Sequence, residues 1–369
     1  MIICVDARPL VEKKVGFGFF LQNMLEEILI IDKSNEYILL SDRQVFFNVT
    51  QYNNVKILQY KDGFFLKKTF YYYFKLQKFL KKRGIIPDVF WATNHIVPRD
   101  FSKNTMKVLT IHDFTHLKFP KSTTKYNLLI SKLFFGASIK NADNIICISK
   151  NTKSELEKYY SQECIGKTIS TIYEGGYARK ELLSDEIDMN NIRSQIISCG
   201  KRKFVLFIGT IEPRKNIKLL IEAAPKLQGI VEIVVCGKIG WESSKIISKL
   251  YNTRNLTYFN YITQDEKKYL MKNTVCQVQP SLYEGFGLPV VESMQAGTVV
   301  MVANNSSLKE LVEMDNLKFE TADVNDFCKK ICELNDPIKY QMAKNYCLKR
   351  GRQFDWRVAA KEYISIFTS

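Results

Sequence analysis

The 369-residue sequence has no hydrophobic run long enough to cross a bilayer: its longest apolar stretches, such as Phe204 to Ile208 and Ile230 to Cys236, fall far short of the ~20 residues required. No secretory leader is expected either, because the first apolar run, Met1 to Val5, ends at Asp6 and Arg8. A cytosolic chain is expected, or a cytosolic one that associates with a membrane. Cysteine pattern is missing as well. The nine cysteines are odd in number and scattered, with no C-x-x-C pair, which excludes a disulfide framework and argues against structural zinc. Several sit in strand-like apolar runs, where a free thiol is a small core residue. No D-x-D occurs, so no divalent metal held in that manner is expected, and no cofactor. Low-complexity tracts and repeats are absent. Acidic residues are the scarcer sign, 38 Asp and Glu against 54 Lys and Arg, a net charge of +16. That surplus suits nucleic acid, an anionic membrane surface or phosphorylated substrates, although a Lys-, Ile- and Asn-rich genome would also produce it.

What is present reads as two domains, since the length exceeds one ordinary core. Short β-rich runs alternate with helical patterns throughout, the signature of βαβ units and parallel sheets. In the first half the runs are Ile2–Val5, Tyr37–Leu40, Val55–Leu58, Val89–Trp91, Lys107–Ile111, Asn144–Ile148 and Thr168–Ile172. A second series starts at Phe204–Ile208 and continues through Ile230–Cys236, Leu256–Phe259, Val275–Gln279 and Val299–Val302. Between the series, 179–202 is polar. The expected organisation is a Rossmann-like domain over 1–185, a linker over 186–201 and a second Rossmann-like domain over 202–351. The terminal helix at 352–369, with apolar Trp356, Ala359, Tyr363 and Ile366, is expected to pack back on the first domain.

One stretch carries chemistry: P-S-L-Y-E-G-F-G-L-P-V-V-E-S-M-Q-A-G, Pro280 to Gly297. A strand precedes it, and a helix follows from Pro289 to Ala296, with proline in its first turn and Gly297 as its stop. The turn therefore presents a helix amino terminus, which favours anions, and Gly285 and Gly287 let backbone approach a ligand closely. Two carboxylates frame it: Glu284 before the turn and Glu292, placed by this reading in the first helical turn. They would repel a bare phosphate, so the ligand should also carry hydroxyls. A sugar–diphosphate–ribose chain meets both demands. Arg214 and Lys215 follow another strand and the Gly209-Thr210 turn, where two cations could neutralise a leaving diphosphate. At a helix start they oppose the dipole, so a merely structural placement is unfavourable.

The Pro280–Gly297 stretch closely resembles the hallmark of glycosyltransferase family 4, retaining enzymes of the GT-B fold. The resemblance covers nearly the whole chain. Phe207-Ile-Gly-Thr-Ile-Glu-Pro-Arg-Lys-Asn216 is similar to the family's second signature, with Thr210 where many members carry an arginine. Val108-Leu-Thr-Ile-His-Asp113, Ala142 to Ser149, and Val5-Asp-Ala-Arg-Pro9 followed by Gly16-Phe-Gly18 are similar to its amino-terminal landmarks. The resemblance implies an α/β GT-B architecture, two Rossmann-like domains facing across a cleft. It implies that Glu292 holds the ribose hydroxyls, that Glu284 faces the transferred sugar, and that the amides of Gly285, Phe286, Gly287 and Leu288 contact sugar and diphosphate. Gly16, Gly209 and Thr210 would lie at the donor, and His112 by the donor sugar or acceptor, with Glu284, Arg214, Lys215 and His112 as the catalytic set. Retention is implied too. No carboxylate is marked as a nucleophile, which favours a front-face mechanism in which the departing phosphate oxygen receives the acceptor's proton.

The likeness of Gly209-to-Asn216 and of Cys236-Gly-Lys-Ile-Gly-Trp241 to mannosyltransferase-like members favours GDP-mannose as donor; a UDP-hexose is the alternative. Lys61 to Arg83 carries eight basic residues, one acid and many aromatics. This suits an interfacial helix at an anionic inner membrane surface and a polyprenyl-diphosphate-linked or oligosaccharide acceptor, as in O-antigen, capsule or lipopolysaccharide assembly. An oxidoreductase would need a dinucleotide fingerprint, and the third glycine and distal acid are out of register. A nucleic-acid binder lacks any recognition motif.

Overall fold

The computed structural model describes residues 1–12, 16–60, 65–99, 101–177, 187–240 and 244–369. Residues 61–64 of the basic stretch, 178–186 including the expected domain end, and Trp241 lie outside the described residues. The chain divides into two units: Met1–Phe114, Lys125–Glu174 and Asp355–Ser369 form the first, and Thr115–Thr124 with Gly175–Phe354 form the second.

The first unit holds a sheet of β1 (Ile2–Asp6), β2 (Glu36–Ser41), β3 (Val55–Gln59), β4 (Val89–Ala92), β5 (Met106–Ile111), β6 (Asn144–Cys147) and β7 (Thr168–Thr171). Its order is β3-β2-β1-β4-β5-β6-β7, and its pairs are parallel. The second unit holds β8 (Phe204–Ile208), β9 (Glu232–Cys236), β10 (Leu256–Phe259), β11 (Cys276–Gln279), β12 (Val300–Ala303) and β13 (Lys318–Phe319), in the order β10-β9-β8-β11-β12-β13, again parallel. β4 and β12 are buried at every residue and read as continuous apolar runs rather than alternating ones, whereas β11, Cys276-Gln-Val-Gln279, is equally buried with two glutamines in it. Each sheet winds outward from a central strand and then reverses, between β1 and β4 in one unit and between β8 and β11 in the other. Such reversals leave a crevice at the carboxyl ends of the two strands, where open α/β sheets bind ligands.

All twelve strands expected from sequence are present within a residue or two of their bounds. Two expectations about the domains are corrected. Residues 187–201 are not a linker: they contain the Ser194–Gly200 helix, and Ile192, Ile196 and Cys199 are buried against Phe204 and Leu206 of β8. Those three residues follow helical spacing inside polar surroundings, so the apolar face was hidden by composition. Thr115–Thr124 belongs to the second unit rather than the first, and the chain passes between units at Glu174 and Gly175. The Val324–Glu333 and Pro337–Gly351 helices, each capped by an aspartate side chain, were not foreseen.

The terminal helix, Trp356–Phe367, lies in the first unit against the Gly16–Ile31 helix. Tyr363 and Phe367 stand 5.1 and 5.5 Å from Trp91 of β4, Trp356 stands 6.0 Å from Phe20, and the Tyr363 hydroxyl meets Thr110 Oγ1 at 3.0 Å. Phe367 is fully buried, so Phe367→Ala should cost about 3–5 kcal/mol. Urea denaturation followed by tryptophan fluorescence reads this; a loss under 1 kcal/mol would mean the helix is only laid on the surface.

Candidate functional site

The reversal in the second unit joins the two sequence signatures. β8 runs into Gly209–Asn216, and β11 runs into Pro280–Gly287, side by side. Gly209 is pinned because its N–H donates to Cys236 O at 3.0 Å, and a Cβ on Gly237 would lie 1.7 Å from Gly209 O. No other residue at 237 permits that approach. Thr210 is exposed just beyond it. Pro213–Lys215 makes one 3-10 turn, and Asn216 takes a left-handed conformation, φ 54°, held by its Nδ2 donating to Thr321 O at 3.0 Å.

That turn delivers both cations to Glu284, which is only 7% exposed. Lys215 Nζ donates to Glu284 Oε1 at 2.5 Å, and Arg214 Nη1 donates to Oε2 at 3.0 Å and to Tyr283 O at 2.8 Å. Arg214 Nη2 also donates to Glu212 Oε1 at 2.5 Å. Glu284 Oε1 accepts two further bonds, from Ser281 Oγ at 2.6 Å and Gln279 Nε2 at 2.9 Å. Burial pushes the Glu284 carboxyl up, but Lys215 and Arg214, with the hydrogen bonds of Lys215 and Ser281, more than offset it and hold it at about 2. Burial lowers the Lys215 ammonium from its ordinary value; Glu284 opposes this and Arg214 reinforces it. The carboxylate is thus a fixed anion, a poor nucleophile and a poor base at neutral pH.

The next turn is shaped from behind. Ser307 Oγ donates to Glu284 O at 3.0 Å and to Phe286 O at 2.6 Å, and Glu284 N–H donates to Ser306 Oγ at 3.0 Å. Gly287 adopts φ 124° as the cap of the Leu288–Gln295 helix, and a Cβ there would come within 3.0 Å of Leu311. Gly285, Phe286 and Leu288 complete the turn. Because the helix begins at Leu288, Glu292 lies one full turn inside it rather than in the first turn, a correction to the sequence reading. Glu292 is half-buried, and its Oε2 accepts from Lys267 Nζ at 2.6 Å. Phe119 stacks on Tyr283 at 6.0 Å, and Lys118 stands 4.7 Å over the same ring.

In the first unit, the candidates gather at the carboxyl edges of β1, β4 and β5. Asp6 is buried and pairs with Arg8 through Nε and Nη2, both at 2.7 Å; the guanidinium lies 3.5 Å over Tyr72. His112 follows β5 and is 3% exposed. Its Nε2 donates to Thr93 O at 2.9 Å, and Nδ1 faces Glu174 Oε1 at 3.6 Å. Burial raises the Glu174 carboxyl, with His112 acting against it. Phe17, next to Gly16 at the start of the Gly16–Ile31 helix, packs on His112 at 4.5 Å. Gly16 itself meets nothing within 4 Å of a Cβ position, so its role is not one of close packing.

Against known families, 188–350 match the model of "Glycosyl transferases group 1". The second unit is a group 1 glycosyltransferase domain. The chain is 25% identical over 272 residues to the O-antigen chain mannosyltransferase B of Escherichia coli, covering 70% of this chain and 69% of that one. Across the whole chain the GT-B fold is that of the sucrose-phosphate synthase from Thermosynechococcus elongatus, with TM-score 0.77 and 17% identity over 100% of this chain and 98% of the other. WaaG, a glycosyltransferase involved in lipopolysaccharide biosynthesis, gives TM-score 0.71 at 13% identity over 100% of both chains. The family resemblance carried by the motifs therefore holds.

Sequence reasoning named Glu284, Arg214 and Lys215 but missed that they pair with one another, and missed what orients them: Gln279, Ser281, Ser306, Ser307 and Lys267. The polar run Asn304-Asn-Ser-Ser307 directly after a strand was the available signal for the two serines. Among the described residues no group of three His, Cys, Asp or Glu could hold a metal.

Acid unfolding reads the Glu284 charge. With its folded pKa below the unfolded value of 4.5, its contribution is full above pH 4.5 and is lost as pH falls towards about 2. That contribution is on the order of 3 kcal/mol. Glu284→Gln should flatten the stability profile in this window, and an unchanged slope would remove the ion pairs from the folded state. Glu284→Ala, which leaves Lys215 without its carboxylate and removes one of the two carboxylates on Arg214, should cost about 3–5 kcal/mol in the same assay.

Proposed function

We propose that this chain transfers a hexose from a nucleotide sugar, GDP-mannose in the first instance, to a lipid-linked or oligosaccharide acceptor in bacterial surface polysaccharide synthesis. One observation carries the reading: Arg214 and Lys215 are held at the sheet reversal by a carboxylate that keeps capacity for a ligand. Among the described residues Oε1 of Glu284 accepts three hydrogen bonds and Oε2 accepts only that of Arg214, so a sugar hydroxyl would approach at Oε2. Glu284 then both reads the transferred sugar and positions the two cations. Lys215 and Arg214 meet the diphosphate, the amides of Gly285 to Leu288 support it, and Glu292 receives the ribose hydroxyls beside Lys267.

The reaction proceeds with retention. The anomeric carbon–phosphate oxygen bond breaks, the acceptor oxygen bonds to the same face, and the acceptor's proton passes to the departing phosphate oxygen. Negative charge grows on the diphosphate in this step, so two fixed cations stabilise the transition state more than the ground state. A saturated Oε1 and a low carboxyl pKa remove Glu284 as a covalent nucleophile. The donor preference rests on the similarity to the mannosyltransferase. No metal or cofactor enters the proposed reaction. The acceptor is proposed to ride on a polyprenyl diphosphate, with the enzyme at the inner face of the cell membrane.

Two measurements test this. GDP should raise the melting temperature above UDP and ADP at equal concentration, and NAD should not; a shift with UDP alone would move the donor to a UDP-hexose. Lys215→Ala should lower kcat/KM at least 100-fold for the best nucleotide sugar of a panel, with an anomeric proton coupling in the wild-type product that matches the donor. Near-normal turnover in the variant would sink the site, and an inverted coupling would sink the front-face route.

A further inference from the structure

Strands buried in a parallel sheet are built from apolar residues, and both neighbours of β11 obey this: β8 is Phe204-Val-Leu-Phe-Ile208 and β12 is Val300-Met-Val-Ala303. β11 carries Gln277 and Gln279 instead, both fully buried. Their in-register neighbours are apolar, Leu206 and Val300 beside Gln277 and Val302 beside Gln279. Leucine or methionine would satisfy packing at either position. The two amides therefore answer to something other than the sheet.

Residues two apart on a strand share a face, and here they line up toward Glu284. Gln277 Nε2 donates to Gln279 Oε1 at 3.1 Å and to Val278 O at 3.0 Å. Gln279 Nε2 donates to Ser281 Oγ and to Glu284 Oε1, both at 2.9 Å, and Ser281 Oγ passes its own proton to Glu284 Oε1 at 2.6 Å. The polarity of this chain is forced. An ionised carboxylate only accepts, so Gln279 turns its Nε2 toward Glu284 and its Oε1 away. That oxygen needs a donor, and Gln277 supplies one only by turning the same way; reversed, it would set oxygen against the oxygens of Gln279 and Val278. What is left over is Gln277 Oε1, buried and without a hydrogen-bond partner among the described residues. Such unmet acceptors are uncommon in folded proteins. This one falls at the end of the chain farthest from Glu284, where aiming every donor at the carboxylate leaves it.

We infer that Gln277 and Gln279 are positioning residues for Glu284, a one-way amide relay that pins Oε1 and so keeps Oε2 turned to Arg214 and to a ligand hydroxyl. Both act through the carboxylate. The benefit to sugar transfer rests on the proposed role of Glu284 at the transferred sugar; the relay itself does not, because the Glu284 charge is read by unfolding without any donor.

Gln277→Met and Gln279→Met, singly and together in the full chain, are the test, since methionine is similar in length and supplies no donor. Gln277→Met exchanges one unmet oxygen for another, so its melting temperature at neutral pH should stay within about 3 °C of wild type. It touches neither Glu284 nor the two cations, which keeps the test open should Gln279→Met fail to fold. With the best nucleotide sugar of a panel, kcat/KM should fall roughly fivefold in Gln277→Met and roughly twentyfold in Gln279→Met. The double variant should lose no more than Gln279→Met, because an amide that is gone needs no orienting. Urea unfolding at a series of pH values supplies the second readout. Loss of the Gln279 donor raises the folded pKa of Glu284 from about 2 toward 4.5, so Gln279→Met should flatten the stability profile between those values, part-way to Glu284→Gln. A profile unmoved by Gln279→Met would overturn the inference, as would losses that multiply in the double variant, the behaviour of two independent packing sites. A flattened profile with turnover unchanged would uphold the relay and remove Glu284 from the sugar, which separates this inference from the reading of function.

Discussion

The second unit is organised around one buried anion. Glu284 sits where two turns of separate strands meet, and it accepts from Lys215, Arg214, Ser281 and Gln279. Without it, Lys215 would be held out of water without its carboxylate and Arg214 would lose one of two, a cost of several kcal/mol. With it, their positions are set by short charge-assisted bonds before any ligand arrives. The geometry on either side serves that arrangement: Gly237 makes room for Gly209, Asn216 bends the chain after Lys215, and Ser307 ties the backbone on both sides of Gly285.

Preorganisation of this kind explains why the cations stand at a helix start, where the dipole alone would disfavour them. The carboxylate supplies what the dipole withholds. It also separates the roles of the two framing glutamates. Glu284 is immobilised and its carboxyl is held low, whereas Glu292 is half-buried and accepts from Lys267. The first unit uses a similar device in Asp6, which holds Arg8 over Tyr72 at the carboxyl end of β1. His112 and Glu174 form a further buried pair, with Glu174 the last residue of the first unit before the chain crosses.

The strands and both signatures were legible because they depend on local features: continuous apolar runs, glycine turns and a proline in a first helical turn. The α/β class and the placing of Arg214 with Lys215 after one strand and of Glu284 after another followed from strand–turn–helix placement; their pairing did not. Three things were not legible. The Ser194–Gly200 helix was concealed because it buries only Ile196 and Cys199, with Ile192 just before it, in a polar segment. Thr115–Thr124 joins the other unit through contacts such as Phe119 on Tyr283, whose partner lies more than 160 residues away. Glu292 was misplaced by a turn because a proline marks a helix start only to within a residue or two.

By itself, the sequence determined which side chains carry charge and which segments are strands, since both follow from composition and periodicity along the chain. It determined the family through the spacing of Glu284, the glycines and Glu292. Only the tertiary structure decided what Glu284 does with its four donors, since Lys215 and Gln279 approach it from different strands. It also decided that Lys267 faces Glu292. The physical reason is the same in each case. Ion pairs and apolar faces act over a few ångströms in space, and residues 25 to 70 positions apart reach that distance only when the sheets and helices are packed.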